Sequence, residues 1–365
     1  MIISALIFVL GTQAAIVPPS DGRTLEEVTC ASGSVTLAGT LTLPPGAGPH
    51  PTVVLISGSG RQNRDGESRD IPGYRPFAVI AEHLTRNGFA VFRYDDRGVG
   101  KSSGDYLEAN ESDFIQDARA AVACLLPRKD IAGNRIGLIG HSEGSLIAAS
   151  VAGNDRRVAF VISLAGGAVD GYSLLVRQAE RQFEAAGTGK EEVARLVEEQ
   201  RLIYDLARAQ KWEKLRELLG EITLKRLRAL PKERTASLGD LEAFAHERAA
   251  ASVEALQLPR VQFLLGHDFG KDWEKVSVPV LALYGELDVQ VEAAQNIPAL
   301  EQALSRAKNT NLTTTIIPGA NHLFLKANTG SMAEYATLPR EFAPGFLDAI
   351  LSWLSRNSKG LGLRQ

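Results

Sequence analysis

Apolar residues in this chain gather in short blocks rather than alternating with polar ones. The blocks are Val53–Ile56, Phe89–Tyr94, Ile136–Ile139, Val158–Leu164, Val280–Tyr284 and Thr313–Ile317. Each has strand length and is rich in β-branched residues, and a run without alternation fits a strand buried on both faces. Between several of them apolar positions recur at helical spacing, as over Ala78–Leu84 and Phe114–Leu126. Strand–helix alternation of this kind predicts a mostly parallel, doubly wound α/β sheet. Near the start the pattern is different: Val35, Leu37, Leu41 and Leu43 alternate with Thr and small residues. Residues 28–43 therefore read as a β-hairpin, with Gly39 helping the turn.

The alternation stops after Leu164. Residues 171–270 hold 32 charged residues, and only two of the chain's 16 prolines, Pro231 and Pro259, fall there. Val193, Leu196, Val197, Ile203, Tyr204 and Ala207 recur at helical spacing, as do Trp212, Leu215, Leu219 and Ile222. This segment reads as a helical insertion, and strand chemistry resumes at Val278. Insertions between sheet strands are tolerated on one rim, so 171–270 is expected to cap a site. The domain reading is a core over 22–170 and 271–358 with the cap inserted between.

Composition narrows the function classes. With 44% hydrophobic and 23% charged residues and a mean hydropathy of −0.06, the 365-residue chain is of ordinary globular make-up. The net charge is −3, with no basic excess to recruit nucleic acid. Two cysteines, Cys30 and Cys124, exclude a multi-disulfide framework and a cysteine-built zinc site. They read as free packed thiols, with one disulfide as the alternative in an exported chain. Residues 1–17 are uncharged, with a short apolar run over Ile2–Leu10 and Ala14-Ala15 as a small-residue cleavage site. They read as a signal peptide that lacks the usual leading Lys or Arg, and the run is too short for a stable membrane span. Export to the periplasm or medium is expected, with a cytoplasmic location as the alternative.

The chemistry centres on Gly140-His141-Ser142-Glu143-Gly144, placed between the strand Ile136–Ile139 and a small-residue helix over Ser145–Ala152. This is the strand–turn–helix setting of a nucleophile elbow, in which a strained turn lifts the serine hydroxyl above the sheet. The flanking glycines are needed because side chains at Gly140 or Gly144 would clash. A serine nucleophile requires a base, and the base an orienting acid. Of six histidines, only His322 follows all the predicted strands, in a loop after Thr313–Ile317. After Val280–Tyr284 comes Gly285-Glu286-Leu287-Asp288, which offers Asp288 as the acid and Glu286 as its alternative. An oxyanion hole would take the backbone N–H of Glu143, with no demand on its side chain. Its second donor would come from Ser57-Gly58-Ser59-Gly60-Arg61, at Ser59 or, alternatively, Gly60.

Other motifs fail on spacing. Gly100-Lys101-Ser102 ends like a phosphate-binding loop, but the position of its first glycine holds Asp95. Gly58 and Gly60 begin a dinucleotide fingerprint whose third glycine is replaced by Asn63. No HExxH occurs and the histidines lack metal-ligand spacing, so neither metal nor cofactor is expected.

Four stretches together carry a family resemblance: Leu55–Gly60, Tyr94–Ser102, the Ser142 elbow, and the Asp288 and His322 loops. Over about residues 28–355 the chain resembles bacterial serine esterases of the α/β-hydrolase superfamily, in the dienelactone-hydrolase-like branch that overlaps prolyl-oligopeptidase-like enzymes. The resemblance implies an α/β-hydrolase fold, with an eight-stranded core and a cap between the sixth and seventh strands. It also implies hydrolysis of small-molecule esters through an acyl-enzyme, and a structural, loop-tying role for Arg97. Two departures stand out. Many relatives begin the oxyanion loop with His-Gly where this chain has Ser57-Gly58, and dienelactone hydrolases proper use cysteine where this chain has Ser142. Peptidase, amidase, thioesterase and acyltransferase activities remain alternatives on the same fold, and an inactive binding protein is a remote one. The oligomeric state is left open.

Overall fold

The computed structural model describes residues 21–68 and 71–357. The expected signal peptide lies outside these residues. Eight strands form one sheet: β1 (Thr24–Ser32), β2 (Val35–Leu43), β3 (His50–Ile56), β4 (Ala90–Tyr94), β5 (Ile131–His141), β6 (Val158–Leu164), β7 (Val280–Gly285) and β8 (Leu312–Ile317). Their order across the sheet is β1-β2-β4-β3-β5-β6-β7-β8. β2 runs antiparallel to both of its neighbours, and β3 through β8 pair in parallel.

The non-alternating blocks are the central strands. β4, β6 and β7 are buried nearly throughout because helices cover both faces. One face packs α2 (Glu111–Leu125), α3 (Glu143–Asn154) and α11 (Ala293–Arg306) around Phe92, Leu138 and Val161. The other packs α1 (Pro76–Arg86) and α12 (Phe346–Asn357) around Val53, Phe160 and Trp353.

The first hairpin differs from the sequence reading. Its strands pair from Ser32↔Val35 outward, so the turn lies at Gly33-Ser34 rather than near Gly39. Gly39 sits mid-strand opposite Tyr94, where a Cβ would come within 2.5 Å of the Phe92 ring and the Arg93 carbonyl oxygen. The cysteines also differ from expectation. Cys30 of β1 and Cys124 of α2 form a disulfide, with Cα atoms 5.6 Å apart and a separation of 94 positions in sequence. Composition alone could not show that the edge strand lies across α2.

Between β6 and β7 the chain is helical: α4 (Gly171–Ala185), α5 (Lys190–Arg208), α6 (Trp212–Arg228), α7 (Lys232–Thr235), α8 (Leu241–Gln257), α9 (Pro259–Gly266) and α10 (Gly270–Trp273). Ile203, Ala207, Leu215, Val253 and Leu265 form a separate apolar cluster here. Entry and exit meet at a neck, where Asp170 bridges Asp268 and the Gly171 N–H donates to the His267 carbonyl oxygen at 2.9 Å. Glu292, just before α11, ties the insertion down, receiving Arg177 at 2.6 Å and Arg181 at 3.2 Å. Arg97 ties its loop to helix α2 rather than to another loop: its guanidinium meets the Asp117 carboxylate at 2.7 Å and donates to the Asp113 carbonyl oxygen at 2.8 Å. Among the described residues, no helix is long and apolar enough to cross a membrane.

Candidate active site

Ser142 stands at the junction of β5 and α3 with φ 53° and ψ −119°, a conformation that side-chain-bearing residues rarely adopt. The turn is held by the Ser142 N–H on the Leu164 carbonyl oxygen at 2.8 Å and by the Ser145 N–H on the Ser142 carbonyl oxygen at 2.9 Å. The need for glycines is steric. A Cβ on Gly140 would fall 2.0 Å from the Gly144 carbonyl oxygen, and one on Gly144 would fall 2.3 Å from the Ile56 carbonyl oxygen.

His322 follows β8 in a loop folded around Asn321. The Asn321 side-chain oxygen accepts the N–H groups of Leu323 and Leu325 at 3.0 and 3.1 Å, turning the chain back on itself. His322 Nδ1 meets Asp288 Oδ2 at 2.9 Å, with both residues buried. The other oxygen of Asp288 accepts the N–H groups of Gln290 and Val291, at 2.8 and 2.9 Å. Glu286, the alternative acid, instead accepts the Gly319 N–H at 2.8 Å on the exposed side of the loop. Between the two candidates, the structure brings Asp288 to His322.

Ser142, His322, Ser59 and Glu143 all line one cavity of about 530 Å³. Its walls are mainly apolar, with Phe77, Leu146, Leu174, Leu264, Phe324 and Phe346 among them. Gly60, the alternative oxyanion donor, has its N–H on the Tyr106 hydroxyl at 2.9 Å, whereas Ser59 is exposed toward the cavity.

Several polar groups around the site were not singled out from sequence. His141 Nε2 lies 2.9 Å from the His322 carbonyl oxygen, and the two rings are 5.0 Å apart. Burial, reinforced by the neighbouring His322, lowers the His141 pKa to about 4, so its ring is neutral near pH 7 and its Nε2–H donates to that carbonyl. Asp96 accepts the Ser57 hydroxyl and the Gln62 N–H, anchoring the loop that carries Ser59. Burial raises the Asp96 carboxyl to about 7, against the lowering effect of those hydrogen bonds. The Glu143 side chain, on which the sequence placed no demand, is paired with Arg260 of α9 at 2.5 Å. No sequence spacing links Asp96 to Ser57 or Arg260 to Glu143, because both pairs form across the fold. Among the described residues, no group of three or more His, Cys, Asp or Glu side chains could hold a metal ion.

A family model described as serine aminopeptidase, S33, matches residues 74–213, a span that includes Ser142 and ends before Asp288 and His322. Esterase EstD of Thermotoga maritima is 35% identical over 116 residues, 32% of this chain and 27% of that protein. An acyl transferase of Photorhabdus luminescens is 33% identical over 157 residues, 42% of this chain and 47% of that protein. The match therefore spans less than half the length of either curated relative. An esterase of Pyrococcus furiosus superposes over 91% of both chains, with a TM-score of 0.53 at 15% identity. The protein has the α/β-hydrolase fold. Within that fold, Ser142 sits at the carboxyl end of β5, and Asp288 and His322 follow β7 and β8. All three stand at the sheet edge where ligands of open α/β sheets bind.

Proposed function

We propose that the protein is a serine carboxylic-ester hydrolase acting through an acyl-enzyme. One observation carries this reading. A strained Ser142 shares an apolar cavity with His322, whose Nδ1 is held by a buried carboxylate, Asp288, at 2.9 Å. In the proposed cycle His322 takes the Ser142 proton as the hydroxyl oxygen attacks the ester carbonyl. The backbone N–H groups of Glu143 and Ser59 receive the oxyanion, and His322 returns the proton to the leaving alcohol. Water, activated by the same histidine, then releases the acid.

The cavity favours a small, neutral ester with an apolar acyl or aromatic group. Glu143 is the one carboxylate on its wall among the described residues, and Arg260 already neutralises it, so no free anion awaits a peptide amino terminus. No Lys or Arg among the described lining residues is placed to receive a terminal carboxylate or a phosphate. The 171–270 helices act as a cap in this reading, since Leu174, Leu175 and Leu264 form part of the cavity wall and exclude water from it. The relative named acyl transferase supports a second reading, in which an alcohol rather than water resolves the acyl-enzyme. Adding acceptor alcohols and analysing products separates the two.

The Cys30–Cys124 disulfide supports export, because such bonds persist in oxidising compartments. A mature chain beginning near Ala15 or Ile16 would establish it.

The deciding experiment is labelling with a fluorophosphonate, located by peptide mapping. A single adduct on Ser142, lost in His322→Ala, is expected. Ser142→Ala should fold normally and lose nearly all ester turnover, and retained wild-type turnover would overturn the mechanism.

A further inference from the structure

Glu143 and Arg260 are both nearly enclosed, with 10% and 14% of their side chains exposed. While Arg260 Nη2 bridges Glu143, its Nη1 donates to the Tyr106 hydroxyl, and the guanidinium carbon lies 5.3 Å from the centre of the Tyr106 ring. The same hydroxyl accepts the Gly60 N–H. One guanidinium thus grips both walls of the site. It holds the elbow directly through Glu143, and the 57–61 loop through Tyr106. It arrives from the insertion, on α9. Leu264, one helical turn further along α9, lines the cavity.

We propose that Arg260 is a positioning residue that sets the spacing of the two oxyanion amides, at Glu143 and Ser59. The inference rests on the serine-hydrolase reading. Oxyanion donors work only when preorganised, and a misplacement of about 1 Å costs on the order of a hundredfold in rate. Arg260 also balances charge. Without it, the Glu143 carboxylate would stand uncompensated beside the developing oxyanion, in surroundings that screen it poorly. Glu111, 3% exposed, packs against Glu143. Burial first, and the nearby Glu143 charge second, hold its carboxyl well above the ordinary range. The two acids therefore present mainly one negative charge, which Arg260 meets.

The test compares wild type, Arg260→Ala, Arg260→Lys and Arg260→Ala/Glu143→Gln on p-nitrophenyl butyrate, with fluorophosphonate labelling of each. Arg260→Ala should lower kcat by about tenfold to a hundredfold, with KM moving far less. Arg260→Lys keeps the charge without the fork and should fall between the two. Adding Glu143→Gln to Arg260→Ala should recover much of kcat, because the stranded carboxylate is gone. If Arg260→Ala fails to fold, as judged by circular dichroism, Arg260→Lys decides by the same split of kcat from KM. A loss confined to KM, or a double variant no faster than Arg260→Ala, overturns the proposal. A wild type that takes no adduct at Ser142 overturns the hydrolase reading and this inference with it. A labelled, active wild type beside an Arg260→Ala of undiminished kcat overturns this inference alone.

Discussion

Asp288 spends one carboxylate oxygen on His322 Nδ1 at 2.9 Å and the other on the backbone N–H groups of Gln290 and Val291. The carboxylate is therefore fixed in direction before any substrate arrives. Replacing it with an amide keeps the shape but removes the charge that would stabilise the imidazolium. Asp288→Asn should lower kcat by about 10³–10⁴. Glu286→Gln, which changes only the contact to Gly319, should leave kcat near wild type. Steady-state kinetics on a chromogenic ester checks both, and the reverse ranking would reassign the acid.

The elbow glycines permit a second prediction. A Cβ on Gly144 would meet two backbone carbonyl oxygens, those of Ile56 and Ser57, at 2.3 and 2.5 Å, and neither can move without shifting β3. Gly144→Ala should cost about 2 kcal/mol or more in unfolding free energy and abolish labelling of Ser142. Gly189→Ala, with open space around it at the start of α5, should cost under about 1 kcal/mol. Urea unfolding with equal sensitivity at the two sites would contradict the close approach.

The disulfide joins the edge strand to α2 across 94 residues of sequence. Closing so long a loop restricts the unfolded chain, and its removal is expected to cost about 2–5 kcal/mol. The double variant Cys30→Ala/Cys124→Ala should unfold at correspondingly lower denaturant. Unreduced wild type, purified from an oxidising compartment and denatured, should show no thiol reactive to Ellman's reagent. Two titratable thiols in that sample would disprove the pairing.

Asp96 predicts a pH dependence of stability. Its carboxyl titrates near 7 in the fold, against an ordinary 3.8 in the unfolded chain. Below pH 4 both states hold the proton. Between about 4 and 7 the folded state keeps it while the unfolded state releases it. This contribution to stability is therefore fully present in acid and is lost as the pH rises through 7, on the order of 4 kcal/mol in total. Asp96→Asn should remove that decline, seen as a smaller slope of unfolding free energy against pH. An unchanged slope would mean that Asp96 ionises normally in the fold.

Much of this architecture was legible before folding. Five of the six non-alternating blocks lie within strands of the set β3–β8, the sixth, Phe89–Tyr94, begins one residue before β4, and Val158–Leu164 is matched residue for residue by β6. Such blocks announce themselves because a strand covered on both faces has no polar side to interrupt its apolar run. The elbow was legible because its residues stand together in one short motif between a strand and a helix, although only the contact that demands Gly140 is local and the one that demands Gly144 comes from the end of β3. The first hairpin was misread because a glycine in a strand and a glycine in a turn look alike in sequence. Only the Phe92 ring beside Gly39 distinguishes them.

Local pattern therefore carried the order of strands and helices, the place of the helical insertion, and a candidate serine, acidic loop and histidine in chain order. These are local properties, set by periodicity, turn sterics and residue type. The tertiary structure alone decided which carboxylate meets His322, that Cys30 meets Cys124, and that Arg260 of α9 reaches both Glu143 and Tyr106. Each of these contacts joins residues between 34 and 154 positions apart in the chain. Their proximity comes from how the strands are ordered across the sheet and how the insertion folds back over its edge, and no local pattern in the sequence encodes that distance.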